Sequence, residues 1–239
     1  MIILTGGAGM IGSMIAWHLN TILNKDQFVI VDEFLVPEQE KNIDKRDFID
    51  LIGKNELPNY LKSNSQIEAI IHMGAISATT ENNFNNLLKS NIRYSQFLWD
   101  WASANQVPLI YASSAATYGD GEFGYKDNSD ALLNYKPLNA YGYSKHFFDM
   151  WVQNQLQQNL PKPPKWFGLK FFNVYGPNEY HKGRMASVVY HAFNQFKKDG
   201  EVRLFKSKNP EYKDGMQLRD FIYVKAVSYT HLTLPTRAV

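Results

Sequence analysis

Cysteine is absent from all 239 residues. That excludes a disulfide framework, a thiol nucleophile and a cysteine-based zinc site, and it fits the cytoplasm. Charge of one sign is also scarce. A formal net charge of +2 at pH 7 gives no reason to expect nucleic acid or a membrane surface as a partner. No apolar run approaches the roughly 20 residues that a membrane span needs. Met1 leads straight into an apolar run with no basic leader, so no signal peptide is expected. His72 has no spaced histidine or carboxylate partner nearby, and no metal site is expected. What is present is ordinary for a globular protein: 44% hydrophobic and 20% charged residues. The length suits one large domain, or a domain with a small second lobe.

Apolar runs at 1–4, 28–31, 69–72, 108–112 and 167–172 read as buried parallel strands, with shorter ones at 202–205 and 221–224. Helical spacing covers 11–23, 84–105, a segment from Tyr141 to about Gln158, and 185–198. Short helices are expected around 48–51 and 57–61, and loops at 119–134 and 173–182. Strands alternating with helices predict an α/β fold: a doubly wound parallel sheet with right-handed crossovers and ligands beyond the carboxyl ends of the strands.

The first such end carries Thr5-Gly6-Gly7-Ala8-Gly9-Met10-Ile11-Gly12. Gly6 permits a tight turn, Gly9 lets the backbone approach a pyrophosphate, and Gly12 lets the helix pack on the strand. The helix start at Met10 and Ile11 offers amides to phosphates. Asp32 ends the second strand, placed to accept from an adenosine ribose hydroxyl, and Glu33 would repel a 2′-phosphate, which favours NAD. Lys41, Lys45, Arg46 and Lys54 follow, and a cation folding back would accept that phosphate. The choice between NAD and NADP stays open at this point. Small residues in His72-Met73-Gly74-Ala75-Ile76-Ser77 allow close approach of backbone to a cofactor.

Tyr141-Gly142-Tyr143-Ser144-Lys145 sets a tyrosine and a lysine one helical turn apart on one face. The ammonium is expected to lower the phenol pKa, making Tyr141 an acid/base for an alcohol while a nicotinamide takes the hydride. Lys145 would also hold the nicotinamide ribose. Ser114 ends the fourth strand, where its hydroxyl would bond a substrate oxygen or the tyrosine. Ser113 is expected only to end the strand, and Tyr143, on another face, only to pack. Lys182 lies in a polar, aromatic loop after the fifth strand and becomes a second acid/base if desolvation lowers its pKa.

With the Ser113–Gly119 run and Phe172-Asn173-Val174-Tyr175-Gly176-Pro177, these motifs resemble the extended short-chain dehydrogenase/reductase superfamily of nucleotide-sugar enzymes. More narrowly, the runs His72–Glu81, Asn178–Gly183 and Leu218–Val224 resemble the ADP-L-glycero-D-manno-heptose 6-epimerase family. The resemblance implies a Rossmann domain over 1–172 and a partial substrate-binding region over 173–225, so that the C-terminal lobe is small and truncated. It implies epimerisation of ADP-D-glycero-D-manno-heptose for the lipopolysaccharide core, through transient hydride transfer to tightly bound NADP. Tyr141 and Lys182 match the family's acid/base pair. Cofactor contacts carry over to Met10, Ile11, Asp32, Glu33, Lys54, Met73, Gly74, Ala75, Ile76, Ser77, Asn91, Lys145 and Val174. Substrate contacts carry over to Asn173, Arg184, His191, Phe205, Lys206, Ser207, Lys208 and Arg219. A cytoplasmic homo-oligomer, often a pentamer, is implied as well.

Three departures stand out. Gln39 replaces a family lysine that contacts the 2′-phosphate, which weakens the case for NADP. Arg184 replaces a small serine. Residues 226–239 match nothing in the family, show neither helical nor strand period, and are read as a foreign tail. Two alternatives share much of this pattern: another nucleotide-sugar enzyme, such as a UDP-hexose 4-epimerase or a dehydratase, and a non-catalytic nucleotide-sensing module. The second tends to lose the tyrosine or the lysine, and this chain has both.

Overall fold

Short apolar strands buried on both faces can only be satisfied by helices above and below them. The computed structural model describes residues 1–21, 26–33, 36–127, 129–207 and 210–229. In it β1 (Ile2–Thr5), β2 (Phe28–Val31), β3 (Asp50–Ile52), β4 (Ala69–His72), β5 (Leu109–Ser114) and β6 (Trp166–Phe171) form one sheet in the order β3-β2-β1-β4-β5-β6. Every pairing is parallel; Thr5 is level with Val31 on one side and with His72 on the other. The strand order reverses between β1 and β4, the place where a crevice opens above the strand ends.

Alternation along the strands divides the core in two. Ile2, Leu4, Phe28, Ile30 and Ile71 pack with Ile15, Ala16 and Leu19 of α1 (Met10–Thr21). Ile3, Val29, Val31, Ile70, Leu109 and Tyr111 face the other layer. That layer holds α2 (Leu57–Ser63) and a long helical stretch. The stretch comprises α3 (Phe84–Leu87), a π-helical turn at Leu88–Arg93 and α4 (Tyr94–Ala104). The last helix of the layer is α5 (Ala140–Gln157), which adds Phe148 and Val152 to the cluster. Beyond β6, β7 (Asn173–Tyr175) pairs in parallel with β8 (Phe221–Tyr223), and α6 (Val188–Asp199) lies between them in sequence.

Several local expectations are corrected. Residues 48–51 contribute to a strand, not a helix, because Asp50–Ile52 finds the open edge of β2 while Phe48 turns into the core. The 84–105 helix carries the π-turn. Residues 173–175 are paired strand, whereas 202–205 make no strand ladder among the described residues. The 119–134 loop contains a 3-10 turn at Ser129–Asn134. Residues 224–229 are helical, so the absence of regular structure expected after 225 does not hold for 226–229. The later tail lies outside the described residues, as do the last two residues, 22 and 23, of the expected first helix.

Gly12 sits directly over the Gly6–Gly7 backbone, and a Cβ there would collide with Gly6 O, Gly6 C and Gly7 Cα. A Cβ on Gly9 would meet only Gly6 O, at 3.2 Å. Gly12→Ala is expected to cost about 1–3 kcal/mol, the usual range for overpacking, and Gly9→Ala less than about 1. Urea unfolding of the two variants side by side measures both.

Candidate active site

Two loops meet backbone to backbone above the sheet. Gly6 has φ +69°, and a Cβ on it would fall 2.5 Å from Gly74 N, so only glycine fits between the end of β1 and the end of β4. Thr5 Oγ1 accepts from the Gly74 amide at 3.1 Å. The same hydroxyl lies 2.6 Å from His72 Nδ1, whose Nε2 is 2.9 Å from Ser95 Oγ. Burial, followed by the charges of Lys145 and Lys54, pulls the His72 imidazole down to about 3, so it stays neutral. A buried neutral histidine between two hydroxyls pins β4 to the long helix.

Asp32 organises the glycine loop. Its Oδ2 accepts from the Ala8 amide at 2.7 Å and its Oδ1 from the Glu33 amide at 2.8 Å. Burial pushes its pKa up, while the amides of Ala8, Glu33 and Gly9 pull it down and the Glu33 charge adds a smaller upward push. The crevice beside it is lined by Gly6, Glu33, Lys54, Gly74, Ala75, Ile76, Ser90 and Tyr94. Lys54 Nζ donates to Ser90 Oγ at 3.0 Å and stands 4.9 Å over the Tyr94 ring. The buried Tyr94 hydroxyl has no partner. Gln39 instead accepts from the Val36 amide at 3.1 Å and caps a 3-10 turn, Pro37–Asn42. Met73 and Ile76 belong to the loop itself, and Ser77 is exposed.

Asn91 occupies the π-turn and is 1% exposed. Its Oδ1 accepts from the Ile76 amide at 2.9 Å, and its Nδ2 donates to Ile76 O at 3.0 Å and to Ser144 Oγ at 2.9 Å. Ser144 Oγ in turn donates to Tyr141 O at 2.7 Å. Asn91, expected among the cofactor contacts, is therefore placed as a clamp between the β4 loop and α5. π-turns commonly mark such sites.

α5 starts on Asn139, whose side chain accepts from the Gly142 amide at 2.8 Å. Tyr141 in the first turn is hydrogen-bonded to Ser114. The expectation that Lys145 depresses the Tyr141 pKa is corrected. Burial raises that pKa; the Ser114 hydrogen bond opposes the rise and the Asp149 charge adds to it. Lys145 Nζ donates to Ala112 O at 2.8 Å, and burial, partly offset by Asp149, pulls it down to about 8. Asp149, four residues past Lys145 on the same face, escaped notice in the sequence, although that spacing was its signal. It accepts from Ser113 Oγ at 2.7 Å, Tyr111 OH at 3.3 Å and Lys170 Nζ at 2.5 Å. Ser113 therefore does more than end a strand. Tyr143 is exposed, tilted against Phe147, rather than packed inside.

Lys182 sits on a 3-10 turn, Tyr180–Met185, with Nζ 3.9 Å from Met10 Sδ. Burial lowers its pKa and the Glu179 charge resists. Met10, Ile11 and Val174 share one apolar cluster, so three expected cofactor contacts converge there. The expected substrate contacts are more scattered. Arg184, Phe205, Lys206 and Arg219 are exposed, His191 and Ser207 are half-buried, and Asn173 donates to Asp220 O at 3.0 Å. Lys208 lies outside the described residues. Among those residues, no group of three or more His, Asp or Glu side chains could hold a metal ion, and no helix is long and apolar enough to cross a membrane.

Residues 2–237 match the model of the NAD dependent epimerase/dehydratase family. A protein of Fusobacterium nucleatum named ADP-L-glycero-D-manno-heptose-6-epimerase is 53% identical over 95% of this chain and 68% of its own length. Its namesake from Nitratidesulfovibrio vulgaris is 44% identical over 94% and 69%. The crystal structure of Helicobacter pylori ADP-L-glycero-D-manno-heptose-6-epimerase superposes with a TM-score of 0.78 at 30% identity, covering 97% of this chain and 71% of that one.

The lowered pKa of Lys145 has a stability consequence with a definite sign. Its native value of about 8 lies below the 10.5 of an ordinary lysine. Below pH 8 the native state therefore carries a buried charge that the unfolded state holds more cheaply, and the penalty fades between pH 8 and 10.5. Lys145→Met is expected to stabilise the fold at pH 7 by on the order of 1–3 kcal/mol, with the gain vanishing by pH 10.5. Thermal unfolding at the two pH values tests this.

Proposed function

Because the chain belongs to the NAD dependent epimerase/dehydratase family, in the branch of the ADP-L-glycero-D-manno-heptose-6-epimerases, we propose that it inverts C6 of the heptose in ADP-D-glycero-D-manno-heptose. The observation that carries this reading is a pair of groups withdrawn from water and pushed in opposite directions. Tyr141 is raised and so keeps its proton, while Lys182 is lowered and gives up its proton more readily. Two groups with separated tendencies to hold a proton are what an inversion needs, since a proton is handled on both faces of one carbon.

The crevice fits a dinucleotide. The unpartnered Tyr94 hydroxyl beside Lys54 and Ser90 suits the polar adenosine end. Asp32, Glu33 and Lys54 would hold that end, Met10, Ile11 and the glycine loop the phosphates, and Lys145 and Val174 the nicotinamide side. When bound, the nicotinamide supplies reversible hydride transfer, so no net redox change results. Lys54 favours NADP by its charge, and Asp32 and Glu33 favour NAD; NADP is the reading put forward, on the resemblance of the whole motif set.

Tyr141 Oη would give its proton to the C6 oxygen, oriented by Ser114. The low pKa of Lys145 lets it exchange charge near neutrality at the foot of the tyrosine helix. Lys182 would serve the opposite face. The same reading makes the protein a cytoplasmic homo-oligomer, in the form of a pentamer, acting in lipopolysaccharide core synthesis.

Conversion of ADP-D-glycero-D-manno-heptose, with the product configuration read by NMR, is the test. Tyr141→Phe and Lys182→Met are each expected to lose at least about 100-fold in kcat, the usual scale for a general acid or base. Turnover of a UDP-hexose without turnover of the ADP-heptose would favour a 4-epimerase instead.

A further inference from the structure

Glu179 is a buried carboxylate with no role in the reaction described above. It is 3% exposed, and neither ion pair found among the described residues includes it. A buried carboxylate without a cation persists only when donors replace its lost water. Three do so here. Oε1 accepts from the Gly176 amide at 3.1 Å and from Ser187 Oγ at 3.0 Å, and Oε2 accepts from the Ser187 amide at 2.6 Å. Those donors sit at the two ends of one loop: Gly176 follows β7, and Ser187 caps α6 by accepting from the Tyr190 amide. The carboxylate also stands at the positive end of the 12-residue α6 helix.

The loop between these ends does not follow local backbone preference. Gly176, Asn178 and Gly183 have φ of +136°, +68° and +53°, and a non-glycine residue at such an angle needs its surroundings to hold it there. Asn178 Nδ2 donates to Ser13 Oγ of α1 at 3.0 Å, and His181 Nδ1 lies 3.2 Å from Asn42 Nδ2. The Lys182 amide donates to Glu179 O at 3.0 Å. From this frame the Lys182 ammonium reaches the Met10 sulfur at the head of α1.

We propose that Glu179 is the positioning residue of Lys182: its carboxylate closes the 176–187 loop into a ring and thereby fixes the ammonium over Met10. Resting on the reading of Lys182 as an acid/base, the assignment adds the group that places it. Among the described residues, the titratable groups that act on Lys182 are Glu179 and its neighbour His181, on which Glu38 of the 37–42 turn also acts. Burial is the larger influence on Lys182 and the Glu179 charge the smaller. Opening the ring therefore returns Lys182 toward ordinary lysine behaviour, whereas loss of the charge alone would push it further away.

NMR titration of isotope-labelled lysine side chains in the full chain separates these cases, with Lys182→Met identifying the resonance. In Glu179→Ala the Lys182 midpoint is expected to shift upward, while Lys145 titrates as before. An unmoved or lowered Lys182 midpoint in folded Glu179→Ala overturns the proposal, and so does a parallel shift of Lys145, which would mean general loosening. If Glu179→Ala does not fold, Glu179→Gln serves with the opposite sign: it removes the charge but leaves an oxygen to accept within the ring, so the Lys182 midpoint is expected to fall, and a rise overturns the proposal. A Lys182→Met variant that retained turnover would defeat the acid/base reading and leave the titration result standing.

Discussion

The site depends on a contact that only glycine allows: the backbone of Gly6 against the backbone of Gly74. It holds the ends of β1 and β4 together at the point where the strand order reverses. From there a continuous line of hydrogen bonds runs outward. Thr5 joins Gly74 and His72, His72 joins Ser95, and Ser95 Oγ donates to Asn91 O at 2.7 Å. Asn91 reaches Ser144, and Ser144 the backbone of Tyr141. The turn proposed to receive phosphates and the helix bearing the proposed acid are thus parts of one polar network. Nearly every member of it is buried, so breaking one link leaves an unsatisfied group, at about 1–3 kcal/mol each.

Around this network the fold tolerates costly charges. Lys145, Asp149 and Lys170 lie close together behind the proposed catalytic residues, and Lys170 also donates to Thr117 Oγ1 at 2.8 Å. Burying such groups gains little stability over apolar residues of the same size. It does keep Lys145 near the point where it changes charge. A site that moves protons needs groups poised in that way, and the sheet core of Ile, Val, Leu and Trp99 carries the stability that the site gives up.

Much of this was legible beforehand because it is local. The strands announce themselves as apolar runs, the first turn as glycines, the Tyr141 helix as a three-residue spacer. The errors share one cause. Leu51 and Ile52 became a strand because the edge of β2 was open to them, whereas 202–205 join no ladder among the described residues. That Asn91 also clamps the β4 loop to α5 escaped notice, since its partners, Ile76 and Ser144, are 15 and 53 residues away. Lys145 was expected to act on Tyr141 through charge, whereas burial dominates both groups.

What the sequence by itself determined is the set of short-range signals: the parallel α/β class, the glycine turn, the tyrosine–lysine pair and the loop carrying Lys182. These follow from spacing along one strand, turn or helix, and spacing is written in the chain. Only the tertiary structure decided which charges are buried and which groups face them. It placed Asp149 under Lys145, Glu179 across the ends of its loop, and the phenol of Tyr141 away from water. Desolvation and long-range hydrogen bonds are properties of packing, and packing joins residues whose separation in sequence carries no period.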